Sequence, residues 1–340
     1  NASKEKVMLA AAGVGALLAT RAVVKKLRAY SFRGKVVLIT GGSRGLGLLL
    51  ARELIREGAK IAICARDGDE LARAQADLQQ RGAREVLAVT CDVTDRVQVN
   101  EMARRVRERY GRIDVLINNA GVIAVGPMEV MTLEDYEGAF KTHFWGPLYT
   151  TLAVLPEMRR RREGRIVNIS SIGGKVSVPH LLPYSASKFA LVGFSAGMRA
   201  ELAKDGVVVT TVCPGLIRTG SPRNAIFKGQ HRGEYAWFSI GDSLPLTSMS
   251  AERGARQIVA ACARGDAELV LSIQAEIAAK FYALFPGLTQ DLLGLINRFL
   301  PEAGGVGTSR MKGKDSTSAV SPSALTALSD AAARRNNEMG

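Results

Sequence analysis

The chain is short of the residues that build metal centres and covalent crosslinks: it has 4 cysteines and 3 histidines among 340 residues. Cys64, Cys91, Cys213 and Cys262 stand far apart, without CxxC spacing, so no zinc ribbon or disulfide framework is expected. Three of them fall at or near the ends of predicted strands, which reads as buried, reduced thiols. With the histidines scattered as well, no metal site is expected. No internal repeat argues for a solenoid. Acidic residues are also in deficit, 32 against 46 basic ones, for a formal net charge of +14. That excess is spread over predicted helix faces apart from one run, Arg159 to Arg162, which reads as a solvated turn. No nucleic-acid-binding motif accompanies it, so no nucleic-acid partner is expected. An anionic lipid surface accounts for the charge as well.

Long apolar runs are missing too. The most apolar stretch, Val7 to Thr20, lacks charge over 14 residues, whereas a membrane span needs about 20. Arg21 interrupts it before Ala22, Val23 and Val24, and snorkelling by Arg21 would stretch it to a marginal span. Lys25, Lys26, Arg28, Arg33 and Lys35 follow as a basic flank suited to the cytoplasmic side of a membrane. Residues 7–24 are expected to anchor the chain to that membrane face or to lie along it. The alternatives are a helix packed on the protein or a cleaved signal peptide.

Elsewhere 47% hydrophobic residues supply ample material for one large core. Strands are predicted near 35–40, 60–64, 85–90, 113–117, 165–170, 207–213 and 268–272, with helical patterns between them. Apolar strands alternating with helices imply a parallel sheet covered on both faces. The first strand runs straight into Gly41-Gly42-Ser43-Arg44-Gly45-Leu46-Gly47, and a helical pattern follows. Strand, glycine turn and helix are the setting in which backbone approaches a pyrophosphate and a helix N-terminus supplies N–H donors. The spacing here is TGxxxGxG rather than GxGxxG.

Tyr184 and Lys188 lie four apart in PYSASKFALVGFSAG, on one face of a predicted helix. A free phenol has a pKa near 10 and is a poor proton carrier at neutral pH. A neighbouring ammonium favours the phenolate and lowers that value, which makes the pair a candidate acid/base unit.

The glycine spacing and this pair together resemble the short-chain dehydrogenase/reductase family over roughly residues 33–275. Further motifs agree in order: Asn118-Asn119-Ala120-Gly121 after the strand IDVLI, Ser171 thirteen residues before Tyr184, and Pro214-Gly215 followed by Thr219. The resemblance implies an α/β Rossmann-type, doubly wound parallel sheet of about seven strands and hydride transfer between a nicotinamide and a carbonyl or alcohol. Tyr184 would carry the proton, Lys188 would hold the nicotinamide ribose and lower the phenol pKa, and Ser171 would steady the substrate oxygen. Ser170, next to it, is sent to the opposite face by strand alternation. The cofactor would be held by Thr40, Gly41, Ser43, Arg44, Gly45, Leu46, Gly47, Arg66, Asp92, Val93, Asn119, Ala120, Gly121, Tyr184, Lys188, Pro214, Gly215 and Thr219. At the end of the second strand, Ala65 or Arg66 meets the adenosine ribose. A carboxylate there would repel a 2′-phosphate and a guanidinium would clamp it, so Arg66 and Arg44 favour NADP(H), with Asp67 a mild contrary sign.

The sequence departs from the family at His143, which stands where an asparagine usually helps hold a proton-relaying water. Histidine has a donor and an acceptor and can serve that water, but it is bulky enough to displace it or simply to pack. The alternatives to an active reductase are a nucleotide-binding scaffold or sensor that lost turnover, and an isomerase or dehydratase on the same fold.

Leu216 to Met249, with Ile226, Phe227, Tyr235, Trp237 and Phe238, reads either as an aromatic, mobile lid over an apolar substrate or as a packed loop. Val176, Val178, Leu181 and Leu182 would line the same pocket, with His180 at its rim or on the surface. The expected organisation is residues 1–30 as the apolar anchor or interfacial helix, 31–274 as the NADP-binding catalytic domain, 275–301 as a helical extension and 302–340 as a mostly disordered tail with a short helix at Leu325 to Arg335. The extension could line the substrate mouth, lie on a membrane or meet a partner. The family is commonly dimeric or tetrameric, so a homo-oligomer is expected.

Overall fold

The computed structural model describes residues 29–339; the apolar segment 7–24 lies outside them. Seven strands form the main sheet: β1 (Val36–Thr40), β2 (Lys60–Ala65), β3 (Val86–Thr90), β4 (Val115–Asn118), β5 (Gly164–Ile169), β6 (Val207–Pro214) and β7 (Glu268–Leu271). All pair in parallel, in the order β3-β2-β1-β4-β5-β6-β7. This is the doubly wound Rossmann-type α/β sheet expected from the sequence.

Helices α1 (Gly45–Arg56), α2 (Gly68–Gln80), α3 (Arg96–Tyr110), α4 (Leu133–Phe140), α5 (Gly146–Arg161), α6 (Leu182–Leu202), α7 (His231–Ser243) and α8 (Ala251–Arg264) follow in turn. Alternation along β1 shows why the strands read as unbroken apolar runs. Val37 and Ile39 enter one core with Leu48, Leu54 and Ile258, while Val36 and Leu38 enter the other with Met102, Val106 and Leu155. Each fully buried aliphatic side chain contributes about 1.5–3 kcal/mol. Strand order reverses between β1 and β4, so their carboxyl ends open a crevice at this switch point.

Helix ends follow local chemistry. Asp95 caps α3 by accepting from the N–H groups of Val97 and Gln98, and Gly111, at φ 84°, terminates it. Between α4 and α5, Lys141 to Trp145 form a π-helical turn that carries His143. The Arg159–Arg162 run closes α5 and is engaged: Arg159 meets Asp205 at 2.7 Å, Arg161 pairs with Glu157, and Arg162 donates to Lys204 O.

Past the sheet, α9 (Ile273–Leu284) and α10 (Pro286–Asn297) carry exposed apolar side chains, among them Ile277, Leu284, Leu292 and Leu295. Among the described residues no helix is long and apolar enough to cross a membrane.

Of the two readings of the 216–249 stretch the packed one is observed: Phe227, Tyr235 and Phe238 are buried with Val125, Leu181 and Ala225. One expectation is corrected. Residues 302–339 are not disordered. Met311–Lys312 pair antiparallel with Ile226–Phe227, and α11 (Ala327–Arg335) packs on α7. A tail rich in Gly, Ser and Thr cannot build a core of its own, but here it borrows the body's partners. Ser321 meets Ser239 at 2.7 Å, Ser329 donates to Asp242 at 2.8 Å, and Ala332 and Ala333 are buried.

Candidate active site

The glycine turn is shaped by space as well as by dihedral angle. Gly41 sits at φ 64°, and a Cβ there would lie 2.9 Å from the Cα of Ala120. A Cβ on Gly47 would overlap the carbonyl oxygen of Gly41. The neighbouring strand end is tied to this turn: Thr40 Oγ1 accepts from the N–H groups of Asn119 and Ala120, and Asn119 Nδ2 donates to Thr40 O and Gly41 O. Asp92 closes its own turn by accepting from Thr94 N at 2.9 Å, while Val93 is buried against Gly146. Gly215 N donates to Leu271 O, and Thr219 Oγ1 accepts from Ser221 N. Leu46 lies in the first turn of α1, and Arg66 and Asp92 follow the carboxyl ends of β2 and β3.

Asp67 is spent locally. It caps α2 by accepting from Glu70 N at 2.9 Å, so it has an explanation apart from the ribose. Arg66 is exposed, with no salt bridge among the described residues. Arg44 is held by Glu70 at 2.8 Å. Glu70 also accepts from Ser43 Oγ at 3.1 Å, a role that no sequence pattern marked.

Ser171 lies two residues past β5 and caps the short turn that follows, accepting from Gly173 N at 3.0 Å. Ser170 turns inward and donates to Lys188 O. Lys188 is buried, with Nζ donating to Ile169 O at 2.9 Å and lying 5.6 Å from the Tyr184 ring centroid.

The electrostatics differ from the simple pair picture. Burial pushes the Lys188 ammonium down to about 7, so it is a weak cation in the free chain. Burial likewise raises the Tyr184 phenol above its usual value, with hydrogen bonding by Ser171 partly opposing the rise. The expected lowering by Lys188 is therefore not seen. The ammonium is directed at a backbone carbonyl, and desolvation outweighs its pull.

His143 is fully buried and its ring stands edge-on to Tyr184, centroids 5.3 Å apart. Nε2 accepts from Val122 N at 3.1 Å, which places the proton on Nδ1, 2.7 Å from Ser187 Oγ. Ser187 Oγ in turn donates to Tyr184 O at 2.8 Å. Both ring nitrogens are thus taken by protein, and the ring has no free position for a relay water. Burial, then the Lys188 charge, hold its pKa well below the usual range, so it is neutral.

His180, expected at a rim or surface, is buried at φ 63° with Nδ1 2.7 Å from Glu234 Oε1. Glu234 also accepts from Trp237 Nε1 at 2.7 Å. This polar clamp sits by the apolar cluster of Leu181, Phe227, Tyr235 and Phe238, against which Tyr184 and Val178 are packed. Neither residue belongs to a motif, so only the fold brings them together.

Comparison with known proteins bears on the family and the fold. A family profile described as short chain dehydrogenase matches residues 35–226. The chain is 35% identical over 270 residues to dehydrogenase/reductase SDR family protein 7-like of Anopheles gambiae, covering 78% of this chain and 84% of that protein. It is 33% identical to dehydrogenase/reductase SDR family member 7B of Bos taurus, covering 77% of this chain and 81% of the relative. A short-chain dehydrogenase structure from Streptomyces avermitilis superposes with a TM-score of 0.66 at 31% identity, covering 78% of this chain and 98% of that one. Actinorhodin polyketide ketoreductase, solved with NADPH, superposes at 0.62 with 32% identity, covering 70% and 95%.

Proposed function

The chain belongs to the short-chain dehydrogenase/reductase family of oxidoreductases, and we propose that within it the protein is an NADP(H)-dependent reductase or dehydrogenase acting on an apolar carbonyl or alcohol. The observation that carries this reading is the meeting of Ser171, Tyr184 and Lys188 beside a glycine cradle. Ser171 caps the turn whose Gly173 abuts the Tyr184 ring, an added Cβ lying 3.2 Å from it, and Lys188 lies against the same ring.

The cradle fits a nucleotide on its own evidence. Added Cβ atoms at Gly41 and Gly47 would meet backbone, and Gly45 already faces an oxyanion of the chain, the Glu338 carboxylate. The diphosphate would be held by the Gly41–Gly47 turn, and the adenosine end by Arg66 and Arg44. The nicotinamide end would be held by Lys188 and the Pro214–Thr219 segment. When bound, the nicotinamide supplies or accepts the hydride.

In the reductive direction Tyr184 gives its proton to the oxygen that becomes an alcohol, and in the oxidative direction it takes that proton back. Ser171 Oγ donates a hydrogen bond to the same oxygen as charge develops there. Lys188, one turn further along α6, would hold the nicotinamide ribose beside the phenol. His143 acts at one remove, holding the first turn of α6 through Ser187. The apolar cluster against Tyr184 favours a substrate without charge. NADP(H) is supported by the two arginines and by the NADPH in the ketoreductase crystal. The exposed apolar α9–α10 pair, with the segment 7–24 and its basic flank, supports attachment to the cytoplasmic face of a membrane.

The test is NADPH consumption in mild detergent over a panel of apolar ketones and aldehydes, with Tyr184→Phe as control. Turnover is expected to fall about 10²–10⁴-fold in the variant while NADPH binding persists. Retained turnover in Tyr184→Phe would overturn the assignment.

A further inference from the structure

We infer that the chain carries its own ligand for the nucleotide cradle: the C-terminal segment 333–338 docks there through Glu338, and cofactor binding requires it to leave. The inference rests on the reading of the glycine turn as a cofactor site.

The contacts are specific to that turn. The Gly45 N–H, a donor at the start of α1, is given to Asn336 O at 2.9 Å. Glu338 Oε1 lies 2.5 Å from the point a Cβ on Gly45 would occupy, so the carboxylate sits directly on the glycine face. Its other oxygen accepts from Asn224 Nδ2 at 2.6 Å and faces Arg44 Nε at 3.4 Å. Asn337, at φ 60°, donates to Ser43 O at 2.9 Å and Glu70 O at 3.0 Å. Asn336 is fully buried and donates to Thr219 O at 3.3 Å.

Three consecutive side chains therefore satisfy themselves on the glycine turn, on α2 and on the segment after β6. These are the elements that would hold a dinucleotide. A carboxyl group shares with phosphate the acceptor oxygens that amide N–H donors and a guanidinium recognise. Gly220, at φ 94°, completes the seat, since a Cβ there would overlap Ala333. The segment has its own anchor, because α11 is fixed to α7 through Ser329 and Asp242, so the last residues return to the cradle at high effective concentration. A chain whose competent state is populated one part in roughly 100 shows an apparent affinity weakened by the same factor.

The experiment measures NADPH and NADH affinity, by fluorescence or calorimetry, for the full chain and for Glu338→Ala and Asn337→Ala. Trypsin cleavage after Arg334 or Arg335 is followed in parallel. The expected result is NADPH binding at least about tenfold tighter in both variants, with wild-type cleavage slow in the free chain and accelerated by saturating NADPH. Unchanged affinity in both variants, with cleavage slowed or unaltered by NADPH, would overturn the inference and leave the cofactor reading intact. Failure of either nucleotide to bind even the variants whose segment trypsin shows to be released would overturn both.

Discussion

His143 Nδ1 lies 2.7 Å from the hydroxyl of Ser187, and that hydroxyl donates to the carbonyl oxygen of Tyr184 at 2.8 Å. The chain Val122 N–H, imidazole, serine, Tyr184 carbonyl ties the crevice wall to the first turn of the helix that presents the phenol. His143→Ala removes a buried ring and leaves the Val122 N–H without its acceptor. The expected cost is about 1–3 kcal/mol for the orphaned donor, with a further loss for the cavity. Because the ring is neutral, it contributes no ionisation to activity. The pH profile of His143→Gln is expected to keep the wild-type inflections while kcat falls. Loss of an inflection near neutrality in that variant would assign His143 a proton-carrying role instead.

Lys188 makes stability depend on pH in the free chain. Its folded pKa, about 7, lies below the roughly 10.4 of an unfolded lysine. Between these values the unfolded chain binds more protons, so stability rises with pH from about 7 upward. The buried thiols act oppositely. Burial raises Cys213 and Cys262 to about 12, so from about 8.5, where an unfolded thiol titrates, they lower stability as pH rises. Urea midpoints are therefore expected to climb between about pH 7 and 8.5, and to lose that climb in Lys188→Met. A flat wild-type response over this window would contradict the desolvated ammonium.

Arg66 is the exposed cation at the end of β2. Arg66→Asp places a carboxylate where a 2′-phosphate would sit and where it would accept a hydrogen bond from a ribose hydroxyl. NADPH affinity is expected to fall about 10–100-fold while NADH affinity holds or improves. Equal losses for both cofactors would remove Arg66 from the selection of the nucleotide.

The docked C-terminal segment is expected to respond to protons. Burial lifts Glu338 to about 7, with Arg44 pulling the other way and Glu70 adding to the rise. This exceeds the value of a free carboxyl, so docking takes up a proton. It is strongest below about pH 4, weakens as pH rises toward 7, and levels off above. Trypsin cleavage after Arg335 is expected to speed up over that rise, and the dependence to shrink in Glu338→Gln. Cleavage independent of pH would separate the Glu338 carboxyl from docking.

The sequence by itself determined the seven parallel strands, the glycine turn and the succession of Ser171, Tyr184 and Lys188. Each is written in neighbouring residues: β-branched runs buried on both faces, glycines at fixed spacing, a phenol and an amine one helical turn apart. Only the tertiary structure decided what surrounds them. It buried Lys188 and Tyr184 enough to move their pKa values away from the simple pair picture, and it locked both nitrogens of His143. It seated His180 on Glu234, and it folded a tail of disorder-like composition onto the glycine turn. Asn337 reaches Ser43 across 294 positions. Desolvation and hydrogen bonding depend on which distant groups the fold brings together, and no local periodicity encodes that.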